Sequence, residues 1–225
     1  MKNSILFALI ITFISSLYAN PMKNYRAVPL KDATLLKTGK DKMYCSVCGM
    51  TLPMFYRTNH AAKHDGKFDQ YCSITCEITD MIVNKKKMTD FKVVDNTTLK
   101  FIDANKAYFV VGSKKPGTMS MISKYAFGTK EAALKFQKEN GGKLMNFKDL
   151  VAMVKAKLQK DLAMIKKKQT MMIKKGKIMY TKMCQKINKN FNSVADAKAY
   201  LVKTQACGNI RGKRLQAIGL YLTHK

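Results

Sequence analysis

The chain has 225 residues, 47% of them hydrophobic, and a formal net charge of +28. That apolar content supports a packed core and excludes a disordered polyelectrolyte. Only four of the basic residues are arginines, Arg26, Arg57, Arg211 and Arg214, and lysine lacks the planar fork that reads bases and phosphates. Aromatic residues do not interleave with the lysines, so nucleic-acid binding is set aside. The charge reads as a solvated lysine-rich surface, or as steering toward an acidic partner or anionic lipid.

Taken in order, the chain opens on Lys2, an apolar run from Ile5 to Ile14, and then Ser15-Ser16-Leu17-Tyr18-Ala19. A basic start, a short apolar core and small residues describe a secretory signal peptide over 1–19, cleaved after Ala19. The run is short for a transmembrane helix. No cysteine follows the cleavage point, so no lipid anchor is expected, and the mature protein is expected to be periplasmic and soluble. Residues 20–40, with Pro21 and Pro29, read as a linker.

Residues 41–98 carry the densest chemistry. Cys45-Ser-Val-Cys48-Gly49-Met50 is followed by His60 and His64 and then by Cys72-Ser-Ile-Thr-Cys76. Asp65-Gly66 is a hairpin signal between two short strands. Ser73 is placed to cap a helix with Ile74, Ile78, Met81 and Ile82 on one face. Phe91 to Val94 reads as a strand.

Residues 99–150 repeat that order. Ala107 to Val111 is a strand, Lys115-Pro116-Gly117 breaks it, and Met119 to Phe127 returns. Thr129 caps a helix with Ala132, Ala133 and Phe136. Gly141-Gly142 ends it, and Lys143 to Phe147 forms a last strand. The expected fold is therefore α+β, with two small ββαβ-like units. After Phe147 the period becomes helical. Leu150, Val154, Leu158, Leu162 and Ile165 define an amphipathic helix reaching about Gln169, continued by Met171 and Met172 to give a helical span over 151–175. Core packing is the ordinary role for those methionines. Gly176 is expected to start a separate helical piece, 176–225.

Cys45 and Cys48 form a knuckle, and Cys72 and Cys76 flank a helix start, where backbone N–H groups favour thiolates. Knuckle, hairpin and helix start together make a treble-clef arrangement whose four sulfurs suit tetrahedral zinc. Paired disulfides and a Cys45/Cys48 redox pair are further alternatives, the latter without a thioredoxin-like βαβ context. Three features favour Cu(I). Met50 follows the knuckle with Met43 and Met54 nearby, and thiolate plus thioether sets select the softer ion. His60 and His64 lie in the hairpin and can complete a mixed site. Export also favours copper handling over structural four-thiolate zinc. No serine- or carboxylate-based catalytic constellation stands out, so the protein is not expected to be an enzyme.

These residues resemble a known family. Cys48-Gly-Met50, the strand ending in Tyr71-Cys72-Ser73, Ala107-Tyr-Phe-Val-Val-Gly-Ser113, Pro116-Gly-Thr-Met119, and Phe127-Gly-Thr-Lys-Glu-Ala-Ala133 to Gly141-Gly142 occur in the order of the nitrous oxide reductase accessory protein family NosL. The resemblance covers about 41–150. It implies two ββαβ-like domains and a Cu(I) chaperone serving nitrous oxide reductase or another copper-accepting exported protein. It implies Cys48 and Met50 as ligands and Met119 as a further candidate. Cys45, Cys72 and Cys76 add sulfur beyond the family pattern. The stretches Gly176 to Cys184 and Leu215 to Leu222 are similar to helices of small c-type cytochromes. Haem attachment needs Cys-x-x-Cys-His, and Gln185-Lys186-Ile187-Asn188 follows Cys184, so no haem is expected. A Cys184–Cys207 disulfide joining two helices is expected instead.

Overall fold

The computed structural model describes residues 24–225. The signal-peptide segment and the start of the linker lie outside the described residues. The first unit begins with the hairpin β1 (His60–His64) and β2 (Lys67–Tyr71), joined by Asp65 and Gly66, both at positive φ. That left-handed pair is what a two-residue hairpin with matched twist requires. Helix α1 (Ile74–Ile82) follows, then β3 (Thr89–Val94) and β4 (Phe101–Asp103). The sheet order is β2-β1-β3-β4, antiparallel throughout. The sequence reading omitted β4, which is only three residues long and is held by pairing with Lys92 to Val94.

The second unit has the expected order: β5 (Tyr108–Val111), β6 (Lys124–Phe127), α2 (Lys130–Asn140) and β7 (Lys143–Met145), with sheet order β6-β5-β7. Two strands are shorter than expected. Met119 does not enter β6, because the loop before it is tied to the first unit. Arg26 donates to the Gly117 carbonyl, and the Thr58 and Thr118 hydroxyls meet at 2.9 Å. Asn146 ends β7 by accepting from the Asp149 N–H, which makes it the cap of the next helix.

The two units share one core. Ile74, Ile78, Val93, Phe109, Val111, Ala126 and Phe147 pack together with Leu150, Val154 and Leu158 of helix α3. The strand-like repeats therefore fuse around α3 rather than stand apart. That helix runs unbroken from Phe147 to Met183, 37 residues, or about 55 Å. This corrects the expected new start at Gly176. The glycine is a crossing point: a Cβ there would sit 2.0 Å from the Ala217 carbonyl oxygen of α5 (Gly212–Leu222). A glycine inside a helix costs about 1 kcal/mol against alanine, and the close packing of α5 offsets it.

Helix α4 (Val194–Thr204) completes the tail. Ile187, Phe191, Ala197, Leu201 and Ile218 form its core with Tyr44 of the knuckle. Cys184, at the end of α3, is disulfide-bonded to Cys207 in the α4–α5 loop. Among the described residues no helix is long and apolar enough to cross a membrane.

Candidate metal centre

The knuckle is a tight reversal. Tyr44 bridges to Thr51, the Cys45 N–H donates to the Met50 carbonyl at 2.9 Å, and the Gly49 N–H donates to the Cys45 carbonyl at 3.0 Å. Gly49 closes the turn at φ 68°, a conformation glycine adopts without strain. The second cysteine pair comes from the end of the hairpin. Cys72 directly follows β2, and Cys76 lies in the first turn of α1. Ser73 occupies the N-cap position, but its hydroxyl makes no capping bond. The Cys76 and Glu77 N–H groups donate instead to the Ser73 carbonyl.

Hairpin and knuckle thus bring Cys45, Cys48, Cys72 and Cys76 together. All four are buried, and their sulfurs lie within 4.8 Å of one another. Cys48 Sγ is 3.5 Å from Cys72 Sγ, and Cys72 Sγ is 3.7 Å from Cys76 Sγ. An ion with about 2.3 Å bonds to four thiolates would set sulfur separations near 3.8 Å, so the cluster is already close to tetrahedral size. Burial opposes ionisation of Cys45, but sulfur contacts from Cys48, Cys72 and Cys76 outweigh it and hold its pKa well below the ordinary thiol value. Burial, followed by the neighbouring sulfurs, pushes Cys72 well up, and the neighbouring sulfurs, followed by burial, push Cys76 well up. One thiolate shared among hydrogen-bonding thiols is a donor set poised for a soft cation.

Met50 and Met119 pack against the thiol cluster. Met119 holds φ 58°, a left-handed conformation that costs a non-glycine residue of order 1 kcal/mol. The histidines do not join the site. His60 is buried with Nδ1 3.1 Å from Glu77 Oε2, and its ring stacks on Phe109 and Phe147. The buried Glu77 carboxylate requires this partner: burial raises its pKa, while His60 pulls it back down. His64 Nδ1 faces the Lys87 carbonyl at 3.1 Å, and Nε2 faces Asp65. The mixed His/Cys site of the sequence reading is therefore corrected to an all-sulfur cluster.

Sequence reasoning missed the contribution of the tail. Lys198 Nζ donates to the Gly49 carbonyl at 2.6 Å and to Gln216 Oε1 at 2.8 Å, and lies 4.2 Å from the centre of the Tyr44 ring. Gln216 Nε2 donates to the Cys48 carbonyl at 2.9 Å. Burial lowers the Lys198 pKa to about 7, against the opposing pull of Cys48, Cys45 and Cys72. A buried lysine inside an alanine-rich helix was the one signal available. On its other side Cys48 borders a cavity of about 690 Å³ that Met50 and Met119 also line. The helices of the tail form its far wall.

Three comparisons with known proteins bear on the chain. No curated protein matches it. The solved copper chaperone NosL from Shewanella denitrificans is 24% identical, with 53% of this chain and 96% of that one covered and a TM-score of 0.40. The NosL family model matches residues 37–154. That match takes in more than half of the chain, including both halves of the thiol cluster and Met119, and the protein therefore belongs to the NosL family.

Proposed function

We propose that the protein is an exported Cu(I)-binding accessory protein that delivers copper to nitrous oxide reductase during its maturation. The position of Cys48 carries this reading. It belongs to the buried four-sulfur cluster and also lines an open cavity with Met50 and Met119. Thiolate and thioether donors together select Cu(I), and an ion that is to be passed on must sit beside an opening. Membership of the NosL family supports the same cargo. The basic start with its apolar run, and a disulfide at Cys184–Cys207, support export to the periplasm. The excess of lysine suits an acidic acceptor.

The test is Cu(I) titration of reduced protein against a competing chelator, repeated with Cys48→Ser and Met50→Leu, followed by transfer to apo nitrous oxide reductase. Weakened binding in both variants and copper arriving on the acceptor are the expected results. Unchanged affinity in both variants would overturn the assignment.

A second reading rests on the cluster itself, since four buried thiolates of tetrahedral size also fit a structural zinc. Thermal melting decides between the two. A delivery site leaves the apo protein with a cooperative transition, whereas a structural zinc site leaves it without one.

A further inference from the structure

Six methionines line the cavity beside Cys48: Met50, Met54, Met119, Met121, Met164 and Met172. Met164 and Met172 come from α3, beyond the 37–154 family match. They lie on one stripe of that helix with Ile165, Lys168 and Gln169, which also face the cavity. This stripe continues, further along the helix, the face that Leu150, Val154 and Leu158 send into the core.

We infer that this cavity is a second, thioether site for a soft monovalent cation, Cu(I), through which the ion passes to the thiol cluster. The inference rests on the copper reading above and adds a place where the cargo is held before or after the thiols. Three observations carry it. First, the wall spans the range from solvent to core. Met121 is 78% exposed and Met54 46%, the other four methionines are half-buried, and Cys48 is 3% exposed. Thioethers therefore occur on this wall at exposures from open solvent to half-buried, and the thiol cluster lies at its buried end. Second, no described residue lining the cavity is Asp or Glu. A hard cation finds no carboxylate there, and a soft one finds sulfur. Third, the Met119 backbone takes a left-handed conformation directly after the Gly117 and Thr118 anchors, and its side chain lies at the junction of cavity and cluster.

The passage is ligand exchange without redox change. A bond from Cu(I) to a thioether breaks as a bond to Cys48 sulfur forms. Copper stays Cu(I), and any proton on that thiol leaves to water.

The test uses the full chain with thiols reduced, Cys184–Cys207 intact and methionine methyl groups labelled with carbon-13. Each methyl resonance is assigned by single Met→Leu variants. Cu(I) is added as its acetonitrile complex, and Ag(I) in parallel. The Met164 and Met172 methyl signals are expected to shift with the second equivalent of metal, after those of Met50 and Met119. The double variant Met164→Leu/Met172→Leu keeps its side-chain volume, so its melting temperature should hold while it binds one ion fewer per chain. Stationary Met164 and Met172 signals up to saturation, with equal stoichiometry in the double variant, overturn the inference and leave the thiol site intact. A chain in which neither thiols nor methionines take up Cu(I) overturns both readings.

Discussion

The Lys198 ammonium donates to the Gly49 carbonyl across 2.6 Å, joining two positions 149 residues apart. Together with the bond from Gln216 to the Cys48 carbonyl, it fixes the back of the knuckle from the tail. The peptide carbonyls that would otherwise need water are satisfied by α4 and α5, so the cysteine turn is anchored to the helices behind it.

Gly49 is the narrowest point of that contact. A Cβ there would lie 2.5 Å from Val194 Cγ1, at a φ of 68°. Gly49→Ala is expected to cost about 2 kcal/mol or more from the clash and the left-handed backbone. Adding Val194→Ala should recover only the Cγ1 share of the clash, leaving the share from Val194 Cβ at 2.7 Å and the left-handed backbone. Denaturant melts of the two variants measure both shares, and equal stability of Gly49→Ala and wild type would contradict the contact.

His60 serves the core. His60→Gln takes the imidazole partner from the buried Glu77 carboxyl group, a change expected to cost about 2 kcal/mol. Cu(I) stoichiometry should stay at the wild-type value. Urea melts and a copper titration check the two halves separately, and a lost ion would return His60 to the site.

The Cys184–Cys207 bond closes a loop with a sequence separation of 23. Its removal by Cys184→Ser/Cys207→Ser is expected to cost about 3 kcal/mol. Because the tail anchors Lys198 and Gln216, the four remaining thiols should also react faster with a thiol probe. Unchanged reactivity would show that the tail holds its place without the crosslink.

Lys124 gives a pH dependence. Burial brings its ammonium down to about 8, and its Nζ donates to the Ile122 carbonyl at 3.1 Å. Below that pH the lysine is charged in both folded and unfolded chains, and its burial cost is constant. Above it the folded lysine is neutral while the unfolded one keeps its proton to about 10.4. Stability then rises by about 1.4 kcal/mol per pH unit. The stability difference between wild type and Lys124→Met should be flat to pH 8 and move toward wild type by about 2 kcal/mol at pH 10. A flat difference across the whole range would count against it.

The local elements were legible where backbone chemistry is local. Asp65-Gly66, Thr129 and Gly141 mark the hairpin and both ends of α2, and each stands where turn or cap chemistry places it. The four cysteines converge because knuckle, hairpin and helix start are short-range devices. What the sequence hid was long-range. His60 has the residue type of a ligand, but its partner is Glu77, on the next helix. Gly176 has the residue type of a helix breaker, yet a neighbouring backbone uses its missing side chain. Met164 and Met172 look like gap-fillers until the fold turns their stripe toward Cys48.

Because Lys198 and Gln216 back the knuckle from the far end of the chain, the order of synthesis acquires a meaning. A polypeptide emerges N-terminus first, so all four thiols are presented well before the residues that seal the turn behind them. Until α4 and α5 arrive, the Gly49 and Cys48 carbonyls lack their Lys198 and Gln216 donors, and the back of the knuckle stands open. The last helix to be synthesised is thus the one that closes the cysteine turn from behind.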